Sequence, residues 1–455
     1  MNTPFPFELL LAFAVMGACM WAGAFLRARV PFFRKYMVPS SLLGGIIGLV
    51  CFNAGLLPVN SEMFQALAYH LFIISFIAIG LSSAEKVSDQ NTARQVFKGA
   101  GWMAIINTFS MSTQILLGLL LCALLGLLGY NLHPKFGYLV SLGFTQGPGQ
   151  ALTFGRLWQT EAGFTHGVDM ALAFKFMGFF FAFLGVPLAN WGIRKGYSSI
   201  GGGEIPDHTL RGLHREGDQM EVAGRLPMHS GNVDSLAFQF AAVGIVYGLT
   251  YLLYYALSKF LADISTLWGF FFAVALVMAF LLKVLMTKLK VFYLIDQGLQ
   301  RRISGWSVDY LVVATLIPIS LPVVKEYLVP LMLISSVAGL WTFAFGFYFG
   351  RRVSPLGFER MLVMYGVNTG TMANGLLLAR IVDPEFRTTV SMECGSFVML
   401  SFPGITACFL LMTNAEVWGL GFWQVIGIFA ALSALCLVLL KALNMWKKAK
   451  PNGSF

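Results

Sequence analysis

Most of this chain is divided into apolar runs of about 20 residues that end at charged or turn-rich stretches, and that pattern restricts the fold more than any other feature. About 20 apolar residues in a helix cross roughly 30 Å of hydrocarbon, where each backbone amide must find its hydrogen bond inside the protein. Of the 455 residues, 57% are hydrophobic and only 11% charged. Soluble domains carry roughly 25% charged residues, so a soluble globular fold is excluded. The runs show no strand-period alternation, which excludes an outer-membrane barrel as well. The formal charge of +10 would suggest nucleic acid only if it were pooled; its distribution assigns it to membrane topology.

The runs predict helices near 7–26, 37–57, 63–82, 99–129, 168–193, 235–261, 267–287, 307–324, 328–349, 388–413 and 421–441. The first run follows an uncharged N-terminus and lacks the basic start and cleavage site of a signal peptide, so it is read as a retained helix. Cys19, Cys51, Cys122, Cys394, Cys408 and Cys436 all fall in apolar runs without ligand spacing and are expected to be lipid-bathed thiols, not disulfides or metal ligands. Two further stretches, 137–158 and 359–381, are apolar but interrupted by Gly, Pro, Asn, Thr and Gln. They read as re-entrant hairpins.

Positive residues are retained on the cytoplasmic side of a membrane. With the N-terminus outside, nearly all of the 31 Lys and Arg residues fall in cytoplasmic loops, from Arg27, Arg29, Arg34 and Lys35 through Arg351, Arg352 and Arg360 to Lys441 and Lys447. Lys135, Arg156, Lys259 and Lys325 map to the outer side, and Lys175 falls within a span. The expected arrangement is a multi-pass membrane protein with the C-terminus in the cytoplasm.

Each half of the chain reads as four helices, a broken hairpin and a fifth helix, with the second half entering from the opposite side. The expected fold is an all-α polytopic membrane protein of two inverted-topology repeats, each of five helices with a re-entrant hairpin, plus one extra C-terminal transmembrane helix. The expected division is an N-terminal repeat over 1–193, a Gly- and Pro-containing cytoplasmic linker over 194–234, an inverted repeat over 235–413 and the extra helix with a basic tail over 414–455.

Non-helical backbone survives at membrane depth only where protein or an aqueous cavity satisfies it, so the two hairpins point to a polar site. Thr145, Gln146, Gly147, Gly149 and Gln150 offer donors and acceptors in the first, and Asn368, Thr369, Gly370, Thr371 and Asn374 in the second. Helix N-terminal ends favour a carboxylate, while exposed carbonyls favour a cation. The alternative reading is close helix packing through small residues. Lys175 and Glu393 are ionisable groups at membrane depth and are expected to approach this site together, Glu393 as the cation-coupling group; the alternative is snorkelling to an interface. Arg156 either receives an anionic substrate or anchors a lipid headgroup. The run Asn107, Thr108, Ser110, Ser112, Thr113, Gln114 lines the hairpin or packs between helices.

No Walker loop, dinucleotide-binding glycine pattern, HExxH or aspartate cluster is present, so no enzymatic activity and no cofactor is expected beyond Na⁺ or H⁺ as a coupling ion. The chain resembles the bacterial sodium/glutamate symporter family, itself related in architecture to the citrate/sodium carriers. Arg34-Lys35-Tyr36-Met37-Val38-Pro39 with Gly44-Gly45, Phe76-Ile77-Ala78-Ile79-Gly80-Leu81, Gly147-Pro148-Gly149, Gly178 and Pro187 carry the resemblance. It implies a homodimer with a moving transport domain and a dimerising scaffold, and sodium-driven uptake of L-glutamate by alternating access of the elevator type. It implies a Gly-Gly-x-Gly hairpin signature, where this chain has Gln146-Gly147-Pro148-Gly149, and a small polar residue where this chain has Lys175. The competing function is a sodium-independent or proton-coupled carrier of another amino or carboxylic acid in which Lys175 replaces the cation; a passive channel stands behind both.

Overall fold

The computed structural model describes residues 7–82, 90–200, 207–213, 224–229, 231–261, 265–383 and 387–447. Parts of the 194–234 linker and the tail beyond 447 lie outside the described residues. All regular structure among the described residues is helical. In the first half of the chain, α1 (Glu8–Arg29), α2 (Ser40–Asn53) and α3 (Ser61–Leu81) precede the long α4 (Gln90–Leu127). An interrupted pair, α5 (Leu139–Gly143) and α6 (Pro148–Glu161), follows, and then α7 (Gly167–Phe183) and α8 (Gly185–Arg194). The order recurs in the second half. There α9 (Ser235–Leu257), α10 (Phe271–Lys288) and α11 (Gln297–Leu316) precede α12 (Leu328–Gly350), the interrupted pair α13 (Gly357–Thr369) and α14 (Met372–Val382), α15 (Val390–Asn414) and lastly α16 (Phe422–Ala442).

Nine helical segments among the described residues are long and apolar enough to cross a membrane: α1, α3, α4, α7 continued by α8, α9, α10, α12, α15 and α16. Helix bounds depart from the apolar runs where local chemistry overrides hydropathy. The run at 168–193 is interrupted at Leu184 because Pro187 has no N–H for the carbonyl of Phe183 and its ring crowds that turn. The helix expected at 307–324 begins earlier, at Gln297, where the Asp296 carboxylate accepts a bond of 2.8 Å from the Leu299 N–H. It stops at Leu316, just before Pro318.

Contacts divide the chain into two compact units, each assembled from segments of both halves of the sequence. The first comprises Met1–Ser83, Leu152–Ala162 and Arg211–Ile319, hence α1–α3, α9–α11 and most of α6. Here α1 and α2 meet backbone to backbone: a Cβ on Gly44 would lie 2.6 Å from the Cys19 carbonyl oxygen. Such approaches supply the van der Waals contact that holds helices together in lipid. The Lys283 ammonium reaches the Ser82 carbonyl at 2.8 Å, and His70 shares a 2.7 Å hydrogen bond with the Tyr247 hydroxyl.

The second unit comprises Ala84–Ala151, Gly163–Leu210 and Ser320–Phe455. Its core gathers Trp102, Met103, Ile106 and Phe109 of α4 with Phe345 and Phe349 of α12, Val363 and Val367 of α13, Cys394 and Phe397 of α15, and Cys436 and Leu440 of α16. The six cysteines are free thiols, but Cys19, Cys394, Cys408 and Cys436 are buried within the protein. The expectation of lipid-bathed thiols is corrected for those four, because an apolar run has a protein-facing side as well as a lipid-facing one.

Candidate substrate and cation site

The second unit brings both interruptions to one helix. The Lys175 ammonium on α7 donates to the Gln146 carbonyl at 2.8 Å and to the Gly370 carbonyl, and Lys175 is 1% exposed. Its Nζ also lies 4.8 Å from the centre of the Phe179 ring, a cation–π arrangement. Gly178, one turn along the same face, makes the approach possible. A Cβ there would stand 2.5 Å from each of the Gly143 and Thr369 carbonyl oxygens, inside van der Waals contact with backbone that cannot swing away.

The dipole logic of this arrangement is direct. Gly370 caps the C-terminal end of α13, and Gln146 lies just beyond the end of α5. Carbonyls at helix C-terminal ends carry partial negative charge, so a cation beside Gly370 is favoured, and the Gln146 carbonyl, in the non-helical stretch before α6, adds a second acceptor. The complementary N-terminal ends belong to α6 and α14. At α14 the Asn374 side chain accepts from the Thr371 N–H at 3.1 Å and from the Thr371 hydroxyl at 2.8 Å. At α6 the Gln150 side chain folds back on the Gly147 N–H at 2.9 Å. The proline that opens α6 tolerates this place because its missing N–H is one of those a helix start leaves unpaired.

Around the interruptions α4 presents a polar stripe at helical spacing, Asn107, Ser110 and Gln114. Asn107 donates to the Asn368 side chain at 2.8 Å. The Gln114 amide bonds the Thr342 hydroxyl at 2.9 Å and the Asn368 carbonyl at 3.2 Å, while its oxygen accepts from the Thr145 hydroxyl at 2.7 Å. Ser110 and Thr145 share a bond of 2.9 Å. Ser112 and Thr113 turn elsewhere, to Ser433 at 2.8 Å and to the Trp341 N–H at 2.9 Å. The run therefore splits by face, one side meeting the interruptions and the other binding neighbouring helices. The sequence leaves the run open between lining the hairpin and packing, because its polar residues cover all faces; Asn107, Ser110 and Gln114 meet the interruptions, and Thr342 carries no signal in the sequence.

The other nominated residues sort clearly. The Gln146 side chain reaches Met111 Sδ at 3.4 Å, and the Thr369 hydroxyl is used by the Tyr365 carbonyl at 2.6 Å. Gly147 precedes α6 and Gly149 lies buried in its first turn. Arg156 lies in the first unit, on a cavity of about 950 Å³ that it lines with Glu62, His70, Thr153, Glu161 and Trp268.

Glu393 departs from the expectation that it and Lys175 would share a site. Its carboxylate receives the Arg360 guanidinium through two bonds of 2.7 Å, and the Thr389 hydroxyl at 2.8 Å. Both members of the pair are buried, and a Cβ on Gly99 would overlap the Glu393 carboxyl. Bidentate pairing of this kind is among the stronger charge-assisted contacts a carboxylate makes. Arg360, grouped with the loop cations by the charge distribution, lies in the first turn of α13 and is buried.

These features define an all-helical, multi-pass membrane protein whose buried polar side chains gather at interrupted helices. A family model described as sodium/glutamate symporter matches residues 5–353, and the chain belongs to that family. The matched region includes Lys175 and the first interruption and ends before α13, so the second interruption and Glu393 lie beyond it. The comparison with curated proteins found no match.

Proposed function

We propose that this protein is a secondary active transporter that carries a small organic anion, L-glutamate by its family, across the bacterial inner membrane by alternating access, with Na⁺ or H⁺ as the coupling ion. The observation that carries this reading is the meeting of both interruptions at Lys175, through the Gln146 and Gly370 carbonyls. Interrupted helices of this kind bind an anion at their N-terminal ends and a cation at their carbonyls. The substrate carboxylates are assigned to the N-terminal ends of α6 and α14, with Thr145, Gly147, Gly149, Gln150, Thr371 and Asn374 orienting them. Gln146, Asn368, Thr369 and Gly370 line the cation side, and Arg156 meets the anion on its way from outside.

The recurring element order supports reading the halves as inverted repeats whose interrupted pairs are re-entrant, with residues 194–234 linking them, α16 as an addition and the N-terminus outside. The unit holding the interruptions is the transport domain of an elevator-type mechanism, and the other is the scaffold of a homodimer. The decisive experiment is uptake of radiolabelled L-glutamate by proteoliposomes under imposed Na⁺ and H⁺ gradients, with other amino and dicarboxylic acids as competitors. Saturable, gradient-driven accumulation is expected. Ion conductance without accumulation of any acid would instead indicate a channel.

A further inference from the structure

We infer that the Lys175 ammonium fills the place at which this site would otherwise hold a sodium ion, so that substrate binding needs no sodium. The inference rests on the carrier reading above and removes sodium from this position. The position is one that attracts a cation on geometric grounds alone. Two backbone carbonyls from two different interruptions point at one Nζ, that of Gly370 at the C-terminal cap of α13 and that of Gln146 in the non-helical stretch before α6, and an aromatic face covers a third direction. Carbonyl oxygens in non-helical backbone are the ligands that replace the hydration shell of an alkali ion elsewhere in membrane proteins. Here they are already taken.

The ammonium is also built in. Gly178 lets α7 press against the Gly143 and Thr369 carbonyls, so the lysine stem is delivered to the gap by close backbone packing. Glu326, on the short helix Leu321–Glu326 that packs against α7, is exposed, and the other acidic groups nearby have partners of their own. Glu359 accepts from the Ser199 N–H at 2.6 Å, Asp169 from the Ser320 N–H at 2.8 Å, and Glu393 holds Arg360. Among the described residues no carboxylate pairs with Lys175. A metal ion sharing these carbonyls would stand within about 4 Å of the ammonium, where two like charges in a site of low dielectric repel strongly. The two cations are therefore alternatives. A tethered ammonium, unlike an ion, cannot leave with the substrate, so no sodium crosses at this position.

The first test uses the purified, ligand-free protein in sodium chloride and in choline chloride. An ion that binds only the folded state raises the melting temperature, so wild type should melt alike in the two salts. Lys175→Ala leaves the carbonyls bare and should be stabilised by sodium. Sodium-specific stabilisation of wild type overturns the inference, and so does a Lys175→Ala protein, monodisperse and folded, that ignores sodium. The second test measures L-glutamate binding in the same salts. Wild type should bind equally in both, whereas Lys175→Ala should lose about tenfold or more in choline and regain affinity in sodium. Wild-type binding that requires sodium overturns the inference while sparing the carrier reading. If no acid binds in either salt, the carrier reading falls, and the ligand-free melting still decides the question of the cation.

Discussion

Lys175 and Glu393 are both charged, both buried in the second unit, and each lies on the helix that follows an interruption, yet one has a counter-charge and the other has only dipoles. Glu393 is closed off by Arg360 and Thr389. Lys175 faces two carbonyls and a ring. A buried charge with its own counter-ion is complete and serves packing specificity, whereas one held by neutral groups leaves room for an incoming charge of opposite sign. On the proposed function, Arg360–Glu393 is a structural pair and Lys175 a working group.

The harshest way to break that contrast is Arg360→Met. Removing one partner of a buried pair strands the other charge, which costs about 3–5 kcal/mol, whereas replacing both is often near neutral. Denaturation in detergent should show the single variant far less stable than wild type, and Arg360→Met with Glu393→Leu should recover most of the loss. A single variant within about 1 kcal/mol of wild type would show that the pair is not desolvated as the geometry requires.

The two glycines beside these charges sharpen the comparison. An added methyl at Gly178 meets two backbone carbonyls at 2.5 Å, and one at Gly99 overlaps the Glu393 carboxyl. Overpacking of this kind costs about 1–3 kcal/mol. Both Gly178→Ala and Gly99→Ala should therefore melt lower. Uptake should separate them, because Gly178→Ala pushes the interruptions away from Lys175 while Gly99→Ala disturbs only the structural pair. Equal loss of specific uptake per folded molecule in both would erase the proposed difference.

How much of this was legible in the sequence follows from the physics of each feature. Hydropathy located the spans because lipid selects composition, but it could not mark helix ends: α4 begins at Gln90, well before the apolar run at 99, since backbone hydrogen bonding continues through the polar turn that carries Arg94 and Lys98. The interruptions were legible from Gly, Pro, Asn and Thr, and Lys175 from its charge. The partners were not. Lys175 reaches across 29 and 195 residues, and Arg360 reaches Glu393 across 33, separations set by packing and not by any local period. That Arg360 is buried in the first turn of α13 was hidden for the same reason, since the rule that sorts positive residues by side says nothing of a carboxylate partner.

A smaller effect is expected at the start of α14. Asn374 accepts from both the N–H and the hydroxyl of Thr371, a local cap whose removal typically costs about 1 kcal/mol. Asn374→Ala should lower stability by that amount and weaken L-glutamate uptake more than it weakens the fold, because the freed N-terminal amides lose their alignment. Unchanged KM in proteoliposomes would remove this helix end from the substrate site.

The smallest change in stability is expected at Lys175 itself, and it is the most informative. Lys175→Met keeps the stem volume and removes a charge that has no counter-ion in the folded protein. The loss of two charge-assisted bonds to Gln146 and Gly370 is offset by relief from desolvating an ammonium, so the net change should fall within about 1 kcal/mol. Uptake of L-glutamate should nevertheless be lost, because a methyl thioether supplies no charge for the substrate carboxylate and nothing to bridge the carbonyls. A Lys175→Met protein that is as unstable as Arg360→Met would make the lysine a structural staple; one that transports normally would place the substrate elsewhere. Only a stable, silent variant keeps the two buried charges in different roles.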